Sequence, residues 1–268
     1  MMRIVKYLLW CCVLLSGLSC AGQGRTVRIL AIGNSFSMDA VEENLWELAA
    51  ADGVSCEIGN MYIGGCSIER HLKNARNDAA AYEYRKIVGG IRTVRDSVSL
   101  REALCDGEWD YVSVQQVSQL SGLYSSYIVL LPALLDYIRL YAPQAVIVLH
   151  ETWAYAADSD HAGFRNYDCD QRTMYEAIRT TVERAASENG IGTIVYAGTA
   201  IQNARGTAIG DNLTRDGYHL NALGRYTAAC AWYAALFGAD VRTNGYFRTD
   251  ISPELQRLAR EAAAAAAF

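Results

Sequence analysis

The chain has 268 residues and a formal net charge of −5, with an isoelectric point near 5.4. Hydrophobic residues make up 51 % of it and charged residues 20 %, which is the ordinary composition of a globular enzyme. The acidic balance and the lack of a basic stripe argue against nucleic acid as a partner, and the length allows one large domain with a single core.

The first twenty residues have the layout of a secretory signal. Two basic residues precede an apolar run at 7–18, which is too short to span a bilayer. Residues 19–21, Ser-Cys-Ala, offer a site for signal peptidase, whereas residues 18–20, Leu-Ser-Cys, resemble a lipobox that departs from the usual pattern at Gly17. We therefore expect export, either as a secreted or periplasmic protein or as an outer-membrane lipoprotein anchored in the membrane through a lipid on Cys20.

Strand and helix patterns alternate along the rest of the chain. Short apolar runs rich in Val, Ile and Tyr predict five strands, at 27–33, 56–63, 109–115, 145–150 and 192–197. Helical patterns lie at 39–52, 127–141, 171–189 and 221–237. This alternation predicts an α/β fold with a doubly wound, five-stranded parallel sheet. We expect one domain at 25–238, followed at 239–268 by a C-terminal extension that is helical at 252–268.

Two short motifs far apart in the chain carry residues that suit acyl transfer. Residues 33–37 read Gly-Asn-Ser-Phe-Ser and directly follow the first predicted strand, so Ser35 is expected at the carboxyl edge of the sheet, where ligands bind. Residues 216–219 read Asp-Gly-Tyr-His. A serine needs a base, histidine suits that role, and a carboxylate orients the histidine. Taken singly, each motif is also an ordinary turn or helix cap.

These blocks resemble those of the SGNH, or GDSL-type, hydrolases. In that comparison Ser35 is the nucleophile, His219 the base and Asp216 its partner, and Gly65, in the Gly-Gly-Cys-Ser block at 64–67, joins the backbone N–H of Ser35 in the oxyanion hole. The Gly-Asn-Ser-Phe-Ser opening resembles that of a secreted bacterial branch of uncharacterised members. The resemblance implies a three-layer α/β/α sandwich of flavodoxin-like topology and a serine hydrolase that uses no cofactor.

The third block departs from the family pattern. The family has Gly-x-Asn-Asp after the third strand, and its asparagine donates to the oxyanion, but residues 115–119 here read Gln-Gln-Val-Ser-Gln. A glutamine amide donates the same kind of hydrogen bond, so Gln116 is the first candidate for this donor and Gln115 the second. The other interpretation is a glutamine that only binds its own loop.

The fourth predicted strand ends in His-Glu-Thr-Trp-Ala-Tyr at 150–155. Trp153 and Tyr155 are candidates for stacking on a sugar and Glu151 for binding its hydroxyl groups, and the alternative is that the aromatic pair caps the core. The histidines show no metal-ligand spacing, so we expect no metal.

The function expected from these residues and from the resemblance is a serine esterase acting on acyl, mainly acetyl, esters of carbohydrates. A lipase or thioesterase of the same fold is one alternative. A non-catalytic glycan-binding protein is the other, and the missing third-block asparagine favours it.

Overall fold

The computed structural model describes residues 26–266, and seven strands in this part of the chain form one sheet. In chain order they are β1 Val27–Gly33, β2 Cys56–Tyr62, β3 Tyr82–Val88, β4 Ile91–Val98, β5 Tyr111–Val114, β6 Val146–His150 and β7 Thr193–Val195. Their order across the sheet is β4-β3-β2-β1-β5-β6-β7, and the five strands from β2 to β7 in this order are parallel. Because parallel strands end at the same edge, the segments that follow β1, β2, β5 and β6 meet there.

The predicted α/β fold with a parallel sheet is confirmed, but the predicted number of five strands is wrong. The two further strands, β3 and β4, form an antiparallel hairpin that pairs with β2. The hairpin turns at Gly89 and Gly90, whose φ angles of +58° and +77° favour glycine. The Gly-Gly pair between alternating residues is the signal in the sequence that marks this hairpin.

Nine helices of the described region flank the sheet. They are α1 Ser35–Val41, α2 Leu45–Ala51, α3 Ile68–Arg76, α4 Leu100–Leu104, α5 Leu130–Tyr141, α6 Gln171–Glu188, α7 Ala197–Arg205, α8 Ala222–Phe237 and α9 Pro253–Ala266. Helices α1, α2, α7 and α9 pack against α8, while α3, α4 and α5 pack against one another. The single helix predicted at 39–52 is two helices, because Asn44 adopts a φ of 70° between them.

The predicted C-terminal extension contains α9, which packs on α7 and α8. Five of its six alanines belong to the same hydrophobic core as the strands, and the sixth, Ala265, is exposed, so this helix packs into the core of the domain. The predicted secretory signal at 1–20, with Cys20, lies outside the described residues. Between residues 26 and 266, no helix combines the length and the apolar character needed to cross a membrane.

Candidate active site

Ser35 is the first residue of α1, directly after β1 and a capping asparagine. Asn34 adopts an extended conformation, and its side-chain oxygen accepts from the N–H of Phe36 at 2.9 Å, so the strand ends and the helix begins within two residues. A Cβ at Gly33 would lie 2.6 Å from Oγ of Ser37, so only glycine fits at this turn. The half-buried Ser35 hydroxyl is thus held at the carboxyl edge of the sheet.

The structure brings Ser35, His219 and Asp216 into one line of contacts. Oγ of Ser35 lies 2.9 Å from Nε2 of His219, and Nδ1 of His219 lies 2.7 Å from Oδ2 of Asp216. Partial burial raises the pKa of Asp216, but the hydrogen bonds from His219 and from the N–H of Tyr218 outweigh it and hold that pKa below its usual value. The ionised carboxylate accepts a hydrogen bond from the N–H at Nδ1. Nε2 therefore carries no proton and can take the proton of the serine hydroxyl.

Asp39 holds the loop that carries His219 against the helix that begins with Ser35. This buried carboxylate lies on α1, one turn after Ser35, and accepts from the N–H of Leu220 at 2.8 Å. It also forms ion pairs with Arg215 at 3.0 Å and Arg225 at 2.8 Å. Burial raises the pKa of Asp39, against the two arginines, which lower it. Asp39 therefore ties the segment next to His219 to the helix that carries Ser35.

Gly65 lies in the loop after β2, with a φ of +60°. The side-chain N–H of Asn34 donates to the carbonyl of Cys66 at 3.0 Å, which holds this loop beside the start of α1. The N–H of Gly65 has no hydrogen-bond partner among residues 26–266, and the N–H of Ser35 has no acceptor within its helix because it begins that helix. Two backbone donors are therefore free to bind an oxyanion.

Comparison with known families decides the family of this chain. The family described as a domain of unknown function, DUF4886, matches residues 28–266. The chain belongs to this family. A DUF4886 protein from Bacteroides uniformis ATCC 8492, known from its crystal structure, is 51 % identical, with a TM-score of 0.89 over 90 % of this chain and 95 % of that one. No curated protein matches the chain.

More distant structures share the fold of this DUF4886 chain. A protein of Slackia heliotrinireducens assigned to the SGNH hydrolases is 19 % identical, with a TM-score of 0.55 over 79 % of this chain and 100 % of that one. The acetylxylan esterase Axe2 of Geobacillus stearothermophilus is 15 % identical, with a TM-score of 0.50 over 83 % of this chain and 97 % of that one. The fold is therefore that of SGNH hydrolases.

Neither glutamine of the third block is placed as an oxyanion donor. The amide nitrogen of Gln116 donates to the carbonyl and the hydroxyl of Ser126, at 3.2 and 3.0 Å, and its oxygen accepts from the N–H of Ile68. The prediction that Gln116 completes the oxyanion hole is therefore wrong for this arrangement, because its N–H groups bind the loop. Gln115 is buried and donates to the side chain of Asn34 at 2.9 Å.

The predicted sugar-binding residues lie in the core. Trp153 and Tyr155 are fully buried, so neither ring can stack on a substrate, and the alternative that they cap the core is the correct one. Trp153 stacks on Phe36 with ring centroids 4.2 Å apart, and its N–H donates to the carbonyl of Tyr218 at 2.7 Å. Trp153 thus packs against the helix that begins with Ser35 and binds the loop that carries His219. The hydroxyl of Tyr155 contacts that of Ser118 at 2.7 Å.

Glu151 caps a helix and does not face solvent. It is fully buried, and its carboxylate accepts from the N–H and the hydroxyl of Thr199, at 2.8 and 3.0 Å, in the first turn of α7. Burial raises its pKa to about 7, against the Thr199 hydrogen bonds, which lower it. The predicted role of Glu151 in binding hydroxyl groups is therefore wrong.

His161, which no sequence motif marks, lies at the rim of the site. Its ring packs on Tyr218 with centroids 4.8 Å apart, and Tyr218 in turn packs on His219 at 4.2 Å. Burial lowers the pKa of His161, and the nearby His219 lowers it further. A search for metal-ligand spacing cannot find such a residue, because it reaches the site through the fold of the segment after β6. In the described residues, no cluster of three or more His, Cys, Asp or Glu could hold a metal ion.

Proposed function

We propose that the chain is a serine esterase that hydrolyses acyl esters, with acetyl esters of carbohydrates as the substrate class. The observation that carries the proposal is the unbroken series of contacts from Asp216 through His219 to Ser35. Such a series activates a serine, because the imidazole takes the hydroxyl proton as the oxygen attacks a carbonyl.

In the proposed reaction, Oγ of Ser35 attacks the ester carbonyl while Nε2 of His219 accepts the hydroxyl proton. The N–H groups of Ser35 and Gly65 stabilise the oxyanion of the tetrahedral intermediate. His219 then returns the proton to the leaving alcohol. Nε2 of His219 then takes a proton from a water molecule that attacks the acyl carbonyl, and it returns this proton to Oγ of Ser35 as the acid leaves. Asp216 stays ionised throughout and stabilises the positive charge on His219.

The choice of a hydroxyl-rich alcohol rests on the surface next to the triad. A groove of about 510 Å³ adjoins Asp216 and is lined mainly by carboxylate, amide and hydroxyl side chains, among them Asp158, Ser159, Asn212 and Asn221. These groups can form hydrogen bonds with the hydroxyls of a substrate, and they offer little apolar surface to a long alkyl chain. The acetylxylan esterase Axe2, which shares the fold, also supports acetyl esters of carbohydrates as the substrate class.

Hydrolysis of 4-nitrophenyl acetate by the purified protein tests the proposal. We expect Ser35→Ala to lower kcat at least about 1000-fold, because the nucleophile is lost. Ser252→Ala, which removes a serine from the start of α9, is the control and should keep wild-type kcat. A fluorophosphonate probe should label the wild type and not the Ser35→Ala variant. Full activity of that variant would refute the assignment.

Two further measurements on the purified protein distinguish the proposal from the alternatives. A lipase or thioesterase would prefer long acyl chains in a series of 4-nitrophenyl esters or thioesters, whereas the proposal expects the highest kcat/KM for acetyl. A glycan-binding protein without activity would retain oligosaccharides and would not react with the fluorophosphonate probe, since labelling needs an activated serine.

A further inference from the structure

A line of buried hydrogen bonds crosses the carboxyl edge of the sheet beside Ser35. Nδ1 of His150 lies 2.7 Å from the side-chain oxygen of Gln115, whose NH₂ group donates to the side-chain oxygen of Asn34 at 2.9 Å. The NH₂ group of Asn34 donates to the carbonyl of Cys66 at 3.0 Å. These residues end or follow β6, β5, β1 and β2, which are neighbours in the sheet, and each is at most 2 % exposed.

Two backbone groups bound to Asn34 determine which atom donates in each hydrogen bond of this line. The N–H of Phe36 can only donate and the carbonyl of Cys66 can only accept, so the amide of Asn34 has one orientation. Gln115 must then present its NH₂ group to Asn34 and its oxygen to His150. His150 must therefore carry its proton on Nδ1.

The surroundings of His150 agree with a neutral ring. Full burial lowers its pKa to about 3, and Nε2 has no hydrogen-bond partner among the described residues. Gly33 leaves room for the line, because a Cβ there would lie 3.0 Å from the amide carbon of Gln115.

We propose that His150, Gln115 and Asn34 form a positioning relay that fixes the Gly65 loop relative to Ser35. One asparagine amide caps the helix that begins with Ser35 and holds the carbonyl of Cys66, the residue after Gly65. Gln115 locks that amide and His150 locks Gln115. The glutamine of the third block thus acts on the oxyanion hole through Asn34, without touching the substrate. This inference rests on the proposed esterase function.

Gln115→Glu tests the middle of the relay with little change in shape. When ionised, the carboxylate still accepts from His150, but it places an oxygen against the oxygen of Asn34 and turns that amide away from Cys66. Burial favours the protonated carboxyl, whose O–H could still donate to Asn34, so the variant is compared with the wild type at about pH 9. We expect kcat to fall about 100-fold with KM nearly unchanged, the size of effect that a displacement of about 1 Å produces in an active site. Affinity for a boronic acid that mimics the tetrahedral intermediate should fall by the same factor.

Matched variants separate positioning from stability. Gln115→Met and His150→Phe remove hydrogen bonds of the relay. The controls are Gln256→Met and His71→Phe, which remove three hydrogen bonds from an equally buried glutamine in α9 and one from a buried histidine in α3. All four should lower the melting temperature, but only the first two should lower kcat and boronic acid affinity. Wild-type values of both in His150→Phe and in either Gln115 variant would overturn the proposal.

An NMR readout does not depend on activity. In protein labelled with ¹⁵N-histidine, His150 should be the neutral tautomer with its proton on Nδ1. A proton on Nε2 of the wild type would contradict the relay even if the esterase is active. Conversely, full activity of Ser35→Ala would refute the proposed function and leave the tautomer of His150 to decide the relay.

Discussion

At the scale of single residues, Asp216 holds His219 through both carboxylate oxygens. Oδ2 binds the ring, and Oδ1 accepts from the N–H groups of Tyr218 and His219 at 3.2 and 2.7 Å. In Asp216→Asn the amide oxygen would keep the two backbone donors, so the NH₂ group would face Nδ1. His219 would then carry its proton on Nε2 and could not accept the proton of Ser35. We expect kcat for 4-nitrophenyl acetate to fall roughly 10⁴-fold with an unchanged circular dichroism spectrum.

Two further variants test this explanation. Asp216→Ala leaves His219 free to adopt either tautomer, so it should retain more activity than Asp216→Asn. Asp240→Asn changes a carboxylate that also caps a backbone N–H, that of Arg242, outside the site, and should keep wild-type kcat. A more active Asn variant than Ala variant would show that the tautomer is not what Asp216 controls.

At the scale of secondary structure, the five parallel strands were predicted, but the β3–β4 hairpin and helices α3, α4 and α7 were not. The parallel strands and the motifs at 33–37 and 216–219 lie in short segments whose turns depend on adjacent residues, such as Gly33 and Asn34. The burial of residues 151–155 depends on distant parts of the chain: Phe164 packs on Tyr155 with ring centroids 5.6 Å apart, and Met174 of α6 accepts from its N–H. The sequence of residues 150–155 alone therefore cannot show that other segments bury these side chains.

Glu151 makes the stability of α7 depend on pH. Because burial raises its pKa from 4.5 to about 7, the folded state binds its proton more tightly than the unfolded state. The stabilisation is complete below pH 4.5 and is lost as the pH rises through about 7. Glu151→Gln stays neutral and can still bind both groups of Thr199. In urea unfolding, the free energy of unfolding of the wild type should fall relative to this variant by up to about 2 kcal/mol between about pH 5.5 and pH 8.5.

The control is Glu254→Gln, which changes an exposed glutamate in the first turn of α9. This variant should follow the wild type at both pH values, because the pKa of Glu254 is lowered by hydrogen bonds to Arg257 and titrates well below the tested range. An equal difference between wild type and Glu151→Gln at both pH values would mean that Glu151 is ionised in the folded protein throughout.

At the scale of the whole molecule, the sequence predicted that Asp216 and His219 meet Ser35, but it did not predict the ion pairs that hold their segments together. Ser35, Asp216 and His219 were found because two contiguous motifs carry them. Asp39 lies outside both motifs, and its role depends on Arg215, 176 positions away in the chain. An ion pair between residues so far apart in the chain produces no recognisable local sequence pattern, so a single sequence cannot reveal it.

The C-terminal helix gives the last test of how the molecule is built. If α9 were an appended element, leucine at any of its alanines would be tolerated, but Ala259 is fully buried in the shared core while Ala265 is exposed. Ala259→Leu should therefore lower the free energy of unfolding by about 1–3 kcal/mol through overpacking. Ala265→Leu should stay within about 0.5 kcal/mol of the wild type. Urea unfolding followed by both fluorescence and circular dichroism should give one transition in each variant. Equal stability of the two, or a separate early transition for α9, would make residues 239–266 a unit outside the domain.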